Sequence, residues 1–297
     1  MAQPDQYAYQ GELTYFDSVV RSAQRTLAAQ IEAAIRSGEL GNAVRRQAQL
    51  AAVDRTLAEL AQTANPLASR LVQDAWQQGA ERALRQVQAL PLDVAEQPGA
   101  FNGVSREAVQ AMQQSLMHSL DSAQQTLGRR VRDIYAREQR RAALRAILGA
   151  NGSPVAASHD LQARLLKNRD IARAVSDGGT GFVDSAGRRW SLQTYSNMAT
   201  RTVTREAVVQ GAVARMASHG IALGRISTHP GACEICVPYQ GTLVDLGETG
   251  ITEYQGEAVS DTTDLPPFHP NCEHSVEPIS VTIQSLREEL ELEPIGA

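Results

Sequence analysis

Two short pairs of cysteine and histidine in the last third of the chain constrain its fold more than any other feature. Cys233 and Cys236 are separated by two residues, and His269 and Cys272 repeat that spacing. Two thiolates at this spacing can hold one ion in a tight turn, and the second pair supplies the ligands that complete a tetrahedral zinc site. The pattern predicts a structural Zn²⁺ ion bound by Cys233, Cys236, His269 and Cys272.

The number and position of the cysteines also favour a metal. The chain has 3 cysteines, an odd number, and they are clustered within one segment, which is not the pattern of a disulfide framework. A redox dithiol is the other common use of two cysteines at this spacing. Pro230 and Gly231 place the first pair in a loop, however, and not in the strand and helix context of such a redox site.

The sequence leaves the identity of the fourth ligand open. His269 is the first candidate, because its distance from Cys272 along the chain repeats the spacing of the two earlier cysteines. His274 is the alternate ligand, since a residue two positions after Cys272 would point to the same side of a strand. His229 is the third candidate. The two histidines that do not bind the ion would have structural roles.

Four ligands leave no open coordination position, so we expect a structural site and assign no catalytic residue. Glu234 and Glu273 lie beside ligands at positions where side chains commonly point into solvent. The alternative is a metal-dependent nuclease, because the segment HPNCEH (269–274) contains the letters of a His-Asn-His site. No second histidine-rich helix follows it, and the chain contains no phosphate-binding glycine loop and no Gly-x-Ser-x-Gly motif.

The first 150 residues predict long helices, because apolar residues recur there at spacings of three and four. Asn65 and Pro66 would end one helix and begin the next. The segment 91–103 is expected to be a loop and a hinge. The predicted helices cover residues 12–37, 42–64, 66–90 and 105–148.

The segment NGSP at 151–154 predicts a domain boundary, with a helical docking region over residues 1–150 and an α+β domain over residues 151–297. The expected fold class is therefore α+β, with a long helical N-terminal region followed by a small domain that a zinc knuckle closes. Within that domain the sequence predicts a hairpin over 181–192, a helix over 193–219 and strands over 221–228, 241–246 and 275–281. The segment 237–268 is expected to be a long loop that needs the ion to become ordered.

Charge divides the chain into two regions. Residues 220–297 contain two arginines and thirteen acidic residues, a net charge of −11, whereas the first 219 residues carry +6. An arginine run on the last predicted N-terminal helix could lie against phosphate, which makes packaged DNA a candidate partner, although such runs are more often solvated faces with ion pairs. The run comprises Arg129, Arg130, Arg132, Arg137, Arg140, Arg141 and Arg145.

Hydropathy argues against a membrane partner. No apolar stretch approaches the roughly 18 residues that a membrane span needs. The start MAQPDQYAYQ has no basic region followed by an apolar stretch, so it does not look like a secretion signal. We therefore expect an intracellular protein.

Three motifs in a fixed order resemble the phage minor capsid protein 2 family, and more loosely the head-morphogenesis proteins typified by the F protein of phage Mu. They are GRRWSLQTYSNMATRT (187–202), ISTHPGACEICVPYQG (226–241) and PPFHPNCEH (266–274). The resemblance covers about residues 130–280. Positions on the family's Cys/His motif are Cys233, Cys236, His269, Cys272 and His274.

The resemblance implies a structural protein of a tailed-phage head and gives no reason to expect an enzyme. Such a protein would be associated with the portal or the inner capsid and would aid head assembly or DNA packaging and release. Its implied partners are the portal protein and the major capsid protein. Its implied location is the virion, in the capsid interior or at the portal vertex, and the host cytoplasm during assembly.

Overall fold

The computed structural model describes most of the chain as helices followed by a small sheet. The described residues are 9–37, 40, 42–92, 103–149, 154–168, 182–183, 187–262, 265–270 and 272–290. Most of the predicted hinge over 91–103 lies outside them. The elements in chain order are α1 (Gln10–Arg36), α2 (Ala43–Gln88), α3 (Gly103–Gly149), α4 (Pro154–Lys167), β1 (Phe182–Val183), β2 (Arg189–Trp190), α5 (Leu192–Ser218), β3 (Leu223–Ile226), β4 (Leu243–Asp245), β5 (Glu253–Tyr254), β6 (Glu257–Ser260), β7 (Val276–Pro278) and α6 (Ile283–Leu290). The expected fold class, a long helical region followed by a small α+β domain, is confirmed.

The described residues pack as two compact units. The first unit contains residues from 1–10, 69–116 and 200–297, and the second contains residues from 11–68 and 117–199. Helices α2, α3 and α5 each contribute one part to each unit. The predicted domain boundary at residue 150 stays a prediction.

The second unit is mainly helical, and the apolar periodicity of the sequence explains its core. One face of α1 is buried at the predicted spacings of three, four and seven residues, by Leu13, Phe16, Val20, Leu27 and Ile31. Polar contacts fasten α1 to the start of α5: the Gln193 backbone N–H donates to Gln24 at 3.0 Å, and the Gln193 side-chain amide donates to Asp17 at 2.9 Å. The predicted hairpin is confirmed, with Phe182 paired to Trp190 across β1 and β2.

The prediction that a helix ends at Asn65 is wrong. Helix α2 continues through Pro66, although a proline inside a helix removes a backbone hydrogen bond and costs about 3 kcal/mol. Packing on both sides of the proline offsets this cost, because Ala64 and Ala68 are 1% and 0% exposed. Asn65 also donates from Nδ2 to Asp121 Oδ1 at 3.1 Å on α3, so its side chain joins two helices instead of capping one.

The first unit contains a five-stranded sheet with the order β5-β6-β4-β3-β7. All neighbouring strands are antiparallel except β4 and β6, which are parallel. The three predicted strands are confirmed as β3, β4 and β7. Outside the strand predicted at 241–246, the prediction that 237–268 is a loop is wrong, because the hairpin of β5 and β6 lies there. That hairpin turns through Gln255 and Gly256, which have φ angles of 51° and 82°, as a tight two-residue turn requires.

The core of the first unit lies between the sheet and the helices α2 and α5. It includes Met216, Ile221, Ile226, Val244 and Val276. Helix α5 ends before Gly220, whose φ angle of +69° turns the chain into the sheet as predicted. No helix in the described part of the chain has the length and apolar character to cross a bilayer.

Candidate metal centre

The register of the sheet brings the two Cys/His segments together. Strands β3 and β7 are antiparallel neighbours, and Ile226 at the end of β3 pairs with Val276 at the start of β7. The segment that contains Cys233 therefore leaves the sheet where the segment that contains Cys272 enters it. Beyond the strands, the Ser227 N–H donates to the Ser275 carbonyl at 2.8 Å and the Ser275 N–H donates to Ser227 Oγ at 2.9 Å.

The first segment folds as a tight turn around Cys233. The Cys233 carbonyl accepts hydrogen bonds from the N–H groups of Cys236 at 2.9 Å and Val237 at 3.0 Å, and a short 3-10 turn over Val237–Tyr239 follows. Gln240 holds the base of the segment, because its Oε1 accepts the backbone N–H of His229 at 2.6 Å. These local hydrogen bonds thus form a compact knuckle around Cys233 and Cys236.

The second segment has a matching turn. The Cys272 N–H donates to the carbonyl of His269 at 3.0 Å. An aromatic contact joins the two segments, since the rings of Tyr239 and Phe268 stack with centroids 4.1 Å apart and planes 14° apart. The sequence pattern did not identify this pair, although each aromatic residue lies within three positions of a candidate ligand.

The candidate ligand atoms form two groups that share Cys236. One group is Cys233, Cys236 and His269, and the other is Cys236, Cys272 and His274; within each, the donor atoms lie within 4.8 Å of one another. His269 Nε2 is 3.1 Å from the sulfurs of both Cys233 and Cys236. The sulfurs of Cys236 and Cys272 are 3.8 Å apart, and His274 Nδ1 is 3.5 Å from the Cys272 sulfur. Each group is therefore compact enough to bind a metal ion, and Cys272 belongs to the group of His274, not to that of Cys233 and His269.

The separation of one sulfur pair, Cys236 and Cys272, fits a tetrahedral ion. Bonds of about 2.3 Å from zinc to sulfur give a tetrahedral edge of about 3.8 Å, which is the separation of Cys236 and Cys272. Cys236 and Cys272 are buried, whereas Cys233 is exposed, so the site lies at the protein surface. Three sulfurs and an imidazole are also donors that soft or borderline metals prefer.

His269 and His274 differ in the hydrogen bonding of the ring nitrogen that does not face the sulfurs. His269 Nδ1 lies 2.7 Å from the carbonyl oxygen of Pro270, so Nδ1 carries the proton and Nε2 presents its lone pair to the sulfurs. His274 Nε2 is buried and has no hydrogen-bond partner among the described residues. Burial lowers the pKa of His274, and the neighbouring His229 and His269 act in the same direction, which favours the neutral ring.

His229 lies outside both donor groups. Its ring packs edge-on against His274 with centroids 4.8 Å apart, and its Nε2 is 3.4 Å from Ser227 Oγ. Glu234 and Glu273 are exposed and are absent from both groups. These three residues therefore surround the candidate ligands without joining them.

The electrostatics of the thiols favour a cation between them. Burial raises the pKa of Cys236 to about 12, and the adjacent Cys233 and Cys272 add to the rise. The pKa of Cys233 is lowered, chiefly because the backbone N–H of Cys236 hydrogen-bonds its sulfur. Since crowded thiolates repel one another, three of them can coexist here only around a positive charge.

The arginine run of α3 lies in the second unit, and the structure pairs most of it within the chain. Arg132 forms an ion pair with Asp54, and Arg129 donates to Thr126 at 3.1 Å. The side chains of Arg137 and Arg141 both reach Glu138, and Arg145 reaches Asp160 on α4. Arg130 and Arg140 form no ion pair with any residue that the structure describes.

Comparison with known proteins identifies a family. The chain matches the family model described as phage minor capsid protein 2 over residues 15–295, a range that contains all five candidate ligands. No curated protein and no solved structure matches the chain.

Proposed function

Because the chain belongs to the phage minor capsid protein 2 family, we propose that it is a structural component of the head of a tailed phage, placed at the portal or on the inner face of the capsid. The observation that carries this proposal is the family match over residues 15–295, nearly the whole chain. The protein would contact the portal protein or the major capsid protein and aid head assembly or DNA packaging and release. It would occupy the host cytoplasm during assembly and the virion afterwards.

The proposed role of the Cys/His site is to hold a structural zinc ion. Cys233, Cys236 and Cys272 would supply three ligands, and His269 would supply the fourth, with His274 as the alternate. The hydrogen bond from His269 Nδ1 to the Pro270 carbonyl supports this order, because ligating histidines usually donate their second N–H to such a group. If His274 bound the ion through Nδ1, its proton would be on the buried Nε2, and that N–H would have no acceptor among the described residues.

Zinc at this site would join the two ends of a long acidic segment. Cys236 precedes the segment 237–268, and His269 follows it directly. Strand β4 in this segment is buried, whereas in the hairpin of β5 and β6 the side chains of Tyr254 and Val259 are partly buried against a small core cluster. The bound ion would add folding free energy to this small apolar contact.

We assign the protein no catalytic role. Four protein ligands would close the coordination sphere, whereas a catalytic zinc keeps a position for water or substrate. The exposed positions of Glu234 and Glu273 supply no carboxylate to the candidate ligands. The nuclease alternative predicts DNA cleavage that His269→Ala abolishes without unfolding the protein.

Isolation of phage particles tests the structural proposal. We expect the chain in purified particles at a constant ratio to the portal protein, and we expect it to be cross-linked to the portal or to the major capsid protein. Particles purified after removal of loosely bound host protein by a salt wash provide the control. A chain that is absent from intact and washed particles, and from assembly intermediates, would contradict the proposal.

A further inference from the structure

The second unit contains a basic pocket that the proposed structural role does not use. It lies between the C-terminal part of α3 and helix α4 and has a volume of about 310 Å³. We call it the α3–α4 pocket. Its lining comprises Glu138, Arg141, Arg145, Asp160, Ala163, Arg164, Lys167 and Asn168.

One buried carboxylate organises the inner side of the α3–α4 pocket. Glu138 is 2% exposed and accepts hydrogen bonds from Arg137 at 3.2 Å, Arg141 at 3.1 Å and Asn168 at 3.0 Å. A buried acid with three donors holds those donors in fixed positions. Arg141 is nevertheless 56% exposed at its side chain, so part of its guanidinium faces solvent.

A second carboxylate positions the outer arginines. Asp160 accepts a hydrogen bond from Arg164 Nε at 2.6 Å and a longer one from Arg145 Nη1 at 3.5 Å. A guanidinium has five N–H donors, so each of these arginines keeps donors for a further ligand. Lys167, the only lysine of the chain, is exposed and forms no ion pair with any described residue.

The charges of the lining identify the class of ligand. Four cationic side chains face two carboxylates, which leaves an excess of two positive charges in a concave site. Arginine forks held in place by carboxylates match the oxygens of a phosphate group, and a lysine adds a point charge. Other members of the arginine run, such as Arg132 with its ion pair to Asp54, lie outside the lining of this pocket.

We propose that the α3–α4 pocket binds phosphate groups of the backbone of double-stranded DNA. This inference rests on the proposed function, because a component of the inner head or portal meets packaged DNA. The binding would be independent of base sequence, since phosphate contacts carry no direct sequence information. Arg164 and Lys167 extend the contact beyond the arginine run that the sequence suggested.

Binding of the full chain to two 24-base-pair duplexes of unrelated sequence tests the inference, with fluorescence anisotropy measured over a range of salt concentrations. We expect equal affinity for both duplexes and competition by millimolar inorganic phosphate. The double variant Arg145→Glu/Lys167→Glu should bind at least about tenfold more weakly and should show a salt slope shallower by about two, because each phosphate contact contributes about −0.9 to that slope. Both side chains are exposed and the contact of Arg145 with Asp160 is long at 3.5 Å, so the melting temperature should fall only slightly.

The matched control is Arg106→Glu, an exposed arginine on the same helix and outside the lining of the pocket. It should leave affinity and slope nearly unchanged. An equal loss of DNA affinity in the control and in the double variant would overturn the proposal. So would a wild-type chain that binds no DNA at low salt, or one that binds inorganic phosphate but not DNA. Displacement of the DNA by polyglutamate of matched charge would overturn it too, because it would identify an acidic protein partner.

The particle experiment separates this inference from the proposed function. If the double variant is incorporated into heads and the wild-type chain shows no DNA affinity, only the phosphate-binding inference fails. If the wild-type chain binds DNA but is absent from particles and assembly intermediates, the structural proposal fails.

Discussion

The sulfurs of Cys236 and Cys272 lie 3.8 Å apart, although the two residues are 36 positions apart in the chain. The pairing of Ile226 with Val276 produces this proximity, because it aligns the end of β3 with the start of β7. The register of the sheet therefore brings the two candidate ligand segments close together. A bound ion would in turn lock the register of these two strands.

Removal of the proposed zinc should destabilise the first unit. We expect chelation and Cys236→Ser each to lower its free energy of unfolding by more than about 3 kcal/mol, since zinc binding by small modules contributes about 10–16 kcal/mol. Thermal melting followed by circular dichroism, together with metal content by mass spectrometry, provides the measurement.

The control for this prediction is to combine chelation with the Cys236→Ser substitution. Cys236 is buried, so serine adds a polar group to the core as well as removing a ligand. If both changes act through the ion, chelation of the Cys236→Ser variant should cause little further loss. Unchanged melting after chelation of the wild-type protein would contradict the zinc proposal.

Substitution of His269 and of His274 should have different effects on metal affinity. His269→Gln should lower metal affinity at least about tenfold, because it removes a proposed ligand whose Nδ1–H is already held by the Pro270 carbonyl. His274→Gln should retain the metal and lose stability through its packing against Phe268 and His229. Competition with a coloured chelator measures both affinities, and the opposite order would assign the fourth position to His274.

Sequence periodicity predicted the parts of the fold in which local pattern and packing agree. The apolar stripe of α1 recurs at helical spacing and is buried as expected, and the repeated two-residue spacing marked the Cys/His segments before their proximity was known. Both signals are short-range, so the sequence carries them directly.

Other features depend on contacts between distant residues, which the sequence does not display. The helix continues through Pro66 because Ala64 and Ala68 are buried by packing that outweighs a missing hydrogen bond. Strands β5 and β6 are short and mostly exposed, so they lack an alternating pattern, and only the Gln-Gly pair at their turn could have indicated them. The distinction between His269 and His274 depends on which ring has a carbonyl beside it.

The crossing of α2 and α5 should tolerate no side chain at its two glycines. A Cβ atom on Gly79 would lie 2.0 Å from the carbonyl oxygen of Val208, and one on Gly211 would lie 2.1 Å from that of Trp76. Since backbone atoms cannot move aside as a side chain can, we expect Gly79→Ala to destabilise the first unit by about 3 kcal/mol, at the upper end of the usual cost of overpacking. Urea denaturation measures the loss.

A glycine in open space supplies the control for the crossing. Gly11 is also helical, but a Cβ there meets no atom within 4 Å. Gly11→Ala should be neutral or slightly stabilising, because alanine favours a helix by about 1 kcal/mol over glycine. If Gly79→Ala were as well tolerated as Gly11→Ala, α2 and α5 would not approach each other as closely at Gly79 as the structure indicates.

Glu206 on α5 should make stability depend on pH in a direction unusual for a carboxylate. Burial raises its pKa, so the folded protein holds this proton more tightly than the unfolded chain does. Stability is therefore lost as the pH rises through the ordinary carboxyl range, and above it the charged form remains a penalty. Glu206→Gln should accordingly raise the melting temperature at pH 7, and its advantage should disappear below about pH 4, where the wild-type carboxyl is protonated in both states.

Glu81→Gln, at an exposed position on α2, is the matched control and should change little at either pH. A Glu206→Gln variant less stable than the wild type at pH 7 would mean that the carboxylate has a favourable partner and that burial does not dominate its energetics.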